Sequence, residues 1–147
     1  MKPFKFRLES VLKYRRFMEK KEMMRLMRHK KVCEDIKMSI SHLDAQRSEM
    51  ALKCSRAGAQ GASVFEYLSY KSYLNSLQED IEAAQHELME KEGRVKEQEA
   101  VLKKETVRKK VLERLRELRF EDHREMTAKL EQKQLDELVI NKREVPV

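Results

Sequence analysis

The chain has 147 residues, with 33 Lys+Arg against 26 Asp+Glu (net charge +7), and charged residues make up 40% of it. Aromatics are 6%, Trp is absent, and there are only 3 Gly and 2 Pro. This is too little turn chemistry for most all-β or α/β folds, and slender helices enclose too little volume for a buried enzyme pocket. The positive charge admits nucleic acid, an anionic membrane surface or acidic proteins as partners without choosing among them.

The prolines are Pro3 and Pro146, so nothing between them removes a backbone donor from a helix. A three-four alternation starts at Leu8 and runs through Leu12, Arg15, Glu19, Glu22, Leu26, His29, Cys33, Ile36, Ile40, Leu43, Arg47, Met50, Cys54 and Ala57. Apolar residues hold most of these positions, which is the heptad signal of a long packed helix over about residues 4–57. Between Arg15 and His29 the pattern weakens, and Val11, Met18, Met23 and Met27 suggest a wider or shifted stripe there.

Gly58 suits a left-handed helix-ending residue, and Ser63-Val64-Phe65-Glu66 reads as a capping box that restarts the chain as a helix. A hinge at about 58–62 joins antiparallel neighbours, because short connections do so. The second helix is expected over about 63–141. Its stripe runs through Tyr67, Tyr70, Leu74, Leu77, Ile81, Ala84 and Leu88, with Val95 and Leu102 in phase, then slips to Val111, Leu115 and Leu118 like a stutter. The fold class is therefore all-α, with two long helices forming an antiparallel coiled-coil hairpin as one domain over 1–147. Pairing about the hinge sets residue i near 121 minus i and leaves the last twenty or so residues as a single overhanging helix.

Catalytic chemistry is not evident, and no cofactor or metal is expected. His29, His42, His86 and His123 read as solvated or seam-edge residues, since metal sites need three or four convergent ligands. Cys33 and Cys54 fall on the seam as small hydrophobes and are too few for a disulfide framework. There is no glycine-rich phosphate loop. No apolar run approaches the roughly 20 residues needed to cross a bilayer, and the start of the chain lacks a signal-peptide pattern. A cytoplasmic binding protein, not an enzyme, is the expectation.

Charge is uneven. Basic residues crowd the first thirty positions and recur from Lys103 to Arg119, while Glu79 to Glu92 is acid-rich. The open end of the hairpin is thus basic, either as an ordinary solvated face or as a plug for an acidic socket. Nucleic acid is disfavoured because aromatics do not interleave with the cations as stacking platforms. Phe65, Tyr67, Tyr70 and Tyr73 form the one dense aromatic group. A two-helix seam cannot cover them all, so some should stay exposed as anchors for a partner.

The opening Phe4-Lys5-Phe6-Arg7-Leu8-Glu9-Ser10-Val11-Leu12-Lys13-Tyr14-Arg15 and the closing Leu130-Glu131-Gln132-Lys133-Gln134-Leu135-Asp136-Glu137-Leu138 resemble the two ends of the FliJ family of flagellar type III export proteins. The resemblance implies a hairpin similar to the rotor stalk of rotary ATPases. It implies three partners: the hexameric flagellar export ATPase, the cytoplasmic domain of the export gate, and substrate-specific export chaperones. Nucleic acid is not among them, and membrane contact is only peripheral, through the apparatus at the cytoplasmic face of the inner membrane. The gate-contacting stretch aligns with Tyr70, Tyr73, Leu77, Asp80, Ile81 and Ala84, of which Asp80 and Ala84 depart from the small and His residues of some relatives. ATPase contact is expected from the basic Arg7, Lys13, Arg16 and Lys109 and from Lys133, Asp136 and Glu137 in the overhang. The alternatives are a stalk protein of a non-flagellar type III secretion system, or a self-associating coiled coil with a basic membrane- or nucleic-acid-binding end.

Overall fold

A computed structural model describes residues 2–144, so Met1 and residues 145–147 of the expected 1–147 domain lie outside the described residues. Two helices form the fold: α1, Glu9–Ala59, of 51 residues, and α2, Val64–Glu144, of 81 residues. No strand occurs among the described residues. The protein is an all-α helical hairpin. By internal contacts it divides into two compact units, a terminal unit (Met1–Lys21 with Lys103–Val147) and a loop unit (Glu22–Leu102).

In the loop unit, α1 contributes Leu26, His29, Cys33, Ile36, Ile40, Leu43, Arg47, Met50, Cys54 and Ala57 to the interface, all buried or half-buried. Tyr70, Leu74, Leu77, Ile81, Ala84, Leu88, Lys91, Val95, Gln98 and Leu102 of α2 face them. Both sets keep the three-four alternation that holds one helix face against its neighbour. Arg47 donates to Gln78, and Gln98 donates to the Glu22 carbonyl at 3.1 Å, so the helices run antiparallel here.

In the terminal unit the interface comprises Leu8, Leu12, Arg15 and Glu19 against Glu105, Lys109, Leu112 and Leu115. Leu12 is fully buried. The expected start of the first helix near residue 4 is corrected to Glu9. The preceding segment instead lays the Phe4 ring edge-on against Phe120, with centroids 5.3 Å apart, and beside His123 at 5.6 Å. The Phe4 ring is half-buried in these contacts, and residues 2–6 are not helical. Every residue from Ala128 to Glu144 is exposed, in keeping with an overhang that lacks a partner helix.

Three further expectations are revised. Gly58 does not end α1; it lies within the helix, and Gly61 takes the left-handed conformation at φ +75°. The Ala62 amide donates to the Ala57 carbonyl at 3.0 Å, the six-to-one bond of a Schellman ending, with Gly61 in the glycine position. Half of the capping box forms, the Glu66 amide donating to Ser63 Oγ at 3.2 Å. The later turn also moves the register: the numbers of cross-helix pairs sum from 120 for Glu22–Gln98 and Arg15–Glu105, through 125 for Glu9–Arg116 and Arg47–Gln78, to 129 for Arg16–Glu113, a range centred a few residues above the expected 121.

The stripe, in addition, widens and slips less than expected: Met18 is half-buried beside Glu19 and Leu115 is half-buried one place off the phase, but Val111 and Leu118 are exposed. Val11, Met23 and Met27 are exposed, while Glu19 and Glu22 keep their heptad places in the interface. On α2, Glu105, Lys109 and Leu112 continue the phase of Leu102, so polar residues at seam positions imitate a stutter in the hydropathy pattern.

These observations separate the three glycines. Gly61→Ala forces a Cβ into left-handed geometry and should destabilise the hairpin by about 1–2 kcal/mol. A Cβ at Gly58 meets nothing nearer than the Tyr67 ring at 3.8 Å, and one at Gly93 meets nothing within 4 Å. Gly58→Ala and Gly93→Ala should each raise the melting temperature, by the roughly 0.5–1 kcal/mol that alanine gains over glycine inside a helix. Thermal unfolding followed by circular dichroism checks all three.

Candidate functional site

Two surfaces carry the residues singled out above, and each lies within one unit. In the loop unit, Met50, Phe65, Glu66, Ser69, Tyr70 and Tyr73 line a shallow groove just after the turn. Phe65 is 80% exposed, and Leu68 and Tyr73 are also open to solvent. Ser69 Oγ donates back to the Phe65 carbonyl at 2.9 Å, and Lys71 Nζ stands 5.6 Å from the Tyr67 ring centroid. An exposed aromatic cluster of this kind presents large apolar area with little rotamer entropy to lose on binding.

The six residues expected on one contact face divide. Leu77 and Ile81 are each only 3% exposed and belong to the seam, while Tyr70 and Ala84 are half-buried at its edge. Tyr73 and Asp80, seven residues apart, remain on the surface beside them. Leu77 and Ile81, which the sequence places both on the packing stripe and among the gate contacts, are buried as stripe positions for a geometric reason. Spacings of three and four from Leu74 to Leu77 and Ile81 keep those residues on the side that α1 covers.

The terminal unit holds 21 Lys/Arg against 12 Asp/Glu, a net +9, which leaves the loop unit at −2 of the total +7. Arg7 and Lys13 are exposed. Arg16 is exposed as well, with Nε 3.5 Å from Glu113 Oε1. Lys109 is not a free surface cation. Its Nζ lies 2.9 Å from Glu19 Oε1 inside the interface, because position 109 continues the seam phase. Lys133, Asp136 and Glu137 are all exposed in the final stretch of α2.

Sequence reasoning missed the charged layers of the seam. In the terminal unit, Glu105 is 7% exposed and takes Arg108 Nη1 at 2.8 Å, with Arg15 Nη1 3.5 Å from its other oxygen. Glu19 Oε2 and Glu105 Oε2 are buried without a hydrogen-bond partner among the described residues. In the loop unit, Glu22 is buried and is held by Arg25 at 3.1 Å and by Gln98. The available signal was the strict phase itself, which already assigned seam positions to Glu19 and Glu22. Hydrogen bonding to the Lys109 ammonium holds the Glu19 carboxyl below the usual carboxylate range, with Thr106 and the nearby Lys110 charge acting in the same direction.

His86 Nδ1 lies 4.0 Å from Glu90 Oε1 on an exposed face, a pairing the sequence reading did not identify. Among the described residues no cluster of three or more His, Cys, Asp or Glu side chains could hold a metal ion. Cys33 and Cys54 are free and buried in the seam. No helix among the described residues is long and apolar enough to cross a membrane.

The flagellar FliJ protein family matches residues 4–143. The chain belongs to the FliJ family. FliJ membership makes it a component of the flagellar protein export apparatus, in a family of structural export proteins and not of enzymes. No individual curated protein and no solved structure matches it.

Two measurements follow from the buried groups. The lowered Glu19 pKa means that the fold favours the ionised carboxylate, so this contribution is complete above the ordinary carboxylate pKa and is lost as pH falls through the lower folded value. Urea unfolding on the acid side should therefore show a smaller acid-induced loss of stability in Glu19→Gln than in the parent chain. Leu77→Ala should lose about 2–5 kcal/mol as a buried truncation, while Tyr73→Ala at the surface should stay within about 0.5 kcal/mol. Equal losses at the two positions would contradict the division of this face.

Proposed function

We propose that the chain is a cytoplasmic stalk component of the flagellar type III export apparatus, acting by binding and not by catalysis. In this reading the terminal unit engages the hexameric export ATPase, promoting its assembly and hydrolysis. The aromatic face after the turn engages the cytoplasmic domain of the export gate, and substrate-specific chaperones are escorted by the same chain. The observation that carries it, within the FliJ family, is the concentration of +9 in the unit holding both ends of the chain. A pore of ATPase subunits can centre such a surface through ionic attraction, which tolerates small shifts of orientation better than close packing does.

The residues proposed for the ATPase are Arg7, Lys13, Arg16, Lys133, Asp136 and Glu137; Lys109 acts through the interface that it closes with Glu19. For the gate, Tyr73 and Asp80 are the direct contacts, with Tyr70 and Ala84 at their margin and Leu77 and Ile81 supporting them from the seam. A self-associating coiled coil is the second reading, favoured by exposed Leu135, Leu138, Val139 and Ile140 near the end of α2. Light scattering distinguishes the two, because the stalk reading requires a monomer.

The deciding experiment is stimulation of the purified export ATPase as a function of ionic strength. With a Debye length of about 8 Å in physiological salt, stimulation should fall as salt rises, and reversing Arg7 and Lys13 together should remove most of it. Deletion after Thr127 should abolish stimulation while sparing gate binding, whereas Tyr73→Ala should weaken gate binding alone. Stimulation indifferent to both salt and charge reversal would sink the electrostatic reading.

A further inference from the structure

The outer side of α2 in the terminal unit carries a second stripe with heptad spacing. Lys104, Val107, Val111, Arg114 and Leu118 follow one another at intervals of three, four, three and four. At about 3.6 residues per turn they align roughly half a turn away from Glu105, Lys109 and Leu112, which face α1. Val107 is 52% exposed, Val111 62% and Leu118 43%. No helix among the described residues covers them, and the spacing is that of a face built to receive another helix.

We infer that this face, formed by Lys104, Val107, Val111, Arg114 and Leu118, docks an acidic amphipathic helix of another protein. The partner's seam would place carboxylates opposite Lys104 and Arg114, with aliphatic residues opposite Val107, Val111 and Leu118. Charge complementarity specifies the occupant. Lys103 and Lys110 add positive charge beside the stripe, and neither they nor Lys104 form an ion pair among the described residues. The Arg114 guanidinium touches Glu117 at 3.1 Å, but both side chains are largely exposed and such an i, i+3 pair is weak enough to exchange for a desolvated one. The interval from Lys104 to Arg114 reads three-four-three in either direction, so the match holds for a parallel or an antiparallel partner.

Other occupants suit the face less well. A membrane surface would take up the apolar residues and the cations that flank them by about 40° on either side, but it would offer no carboxylates in register with Lys104 and Arg114, and the vesicle arm below separates the two. A second copy in antiparallel pairing about Val111 would set Val107 against Arg114 and Lys104 against Leu118, with no carboxylate opposite either cation. The inference does not depend on the export reading, since it requires neither the ATPase nor the gate.

The test uses the full chain and a labelled synthetic helix of about 20 residues, leucine-based, with glutamates at the two seam positions that face Lys104 and Arg114. A control peptide carries lysine at both. Fluorescence anisotropy should show saturable binding of the acidic peptide only. Val111→Ser and Arg114→Glu should each weaken it about tenfold or more, and Arg114→Glu should gain affinity for the lysine peptide. Met38→Ser, at an exposed position in the loop unit, should leave binding unchanged. Circular dichroism should show all variants folded, because these side chains lie outside the seam. Absence of binding up to about 100 µM, or equal binding by parent and variants, overturns the proposal. Val111-dependent flotation with phosphatidylglycerol vesicles in place of peptide binding assigns the face to a membrane instead. A Val111-dependent dimer in sedimentation, without peptide binding, assigns it to a second copy; either result overturns the proposal.

Discussion

A hairpin of two helices has one interior, the strip where α1 and α2 meet, and every other property of the protein depends on how that strip is filled. Each helix can turn only a narrow face inward, so a shift of one residue would exchange the whole buried set for a solvated one. In the loop unit the strip is mainly apolar, with Cys33, Leu77, Ile81 and Cys54 among its most buried members. In the terminal unit Leu12 shares it with Arg15, Glu19, Glu105 and Lys109. Charges placed there must find partners, because an unpaired buried carboxylate is strongly unfavourable. The Glu19–Lys109 and Arg15–Glu105 contacts meet that requirement in part, since one oxygen of each carboxylate stays without a hydrogen-bond partner among the described residues. Such a layer adds less stability than leucine would, but it penalises sliding of one helix along the other.

The same narrow interior explains why so much apolar surface remains open. Phe65 and Tyr73 after the turn, and Val107, Val111 and Leu118 on the outer side of α2, cannot be reached by the one helix available to cover them. In a protein with a third layer these residues would be core. Here they are surface, and the aromatic cluster and the basic-flanked valine stripe differ enough in chemistry to suit different partners.

Charge is divided along with packing. The unit containing both termini carries the positive excess, and the loop unit is slightly negative. Since several of the cations are consumed by seam or surface pairs, the field a partner meets comes from Arg7, Lys13 and their exposed neighbours and not from Lys109. A count of basic residues overstates the free surface charge whenever some of them lie in the seam.

Periodicity and turn chemistry determined the all-α hairpin, and the ends of the chain carried its resemblance to FliJ proteins. Fifteen positions from Leu8 to Ala57 were assigned to the buried face by spacing alone, and all are buried or half-buried. Spacing is legible because a helix repeats regardless of what occupies each place. Hydropathy is not a safe substitute, which is why Glu19, Glu22, Glu105 and Lys109 resembled a break in the stripe. Which glycine turned left-handed also lay beyond the sequence, since Gly58 and Gly61 are locally equivalent and the choice depends on where the Ala62 amide closes its bond to Ala57. Only the tertiary structure decided that Glu105 is buried, and that Lys109 is paired while Lys13 is free. Those outcomes depend on the across-helix register, and register is fixed by contacts between residues up to 119 positions apart in the chain.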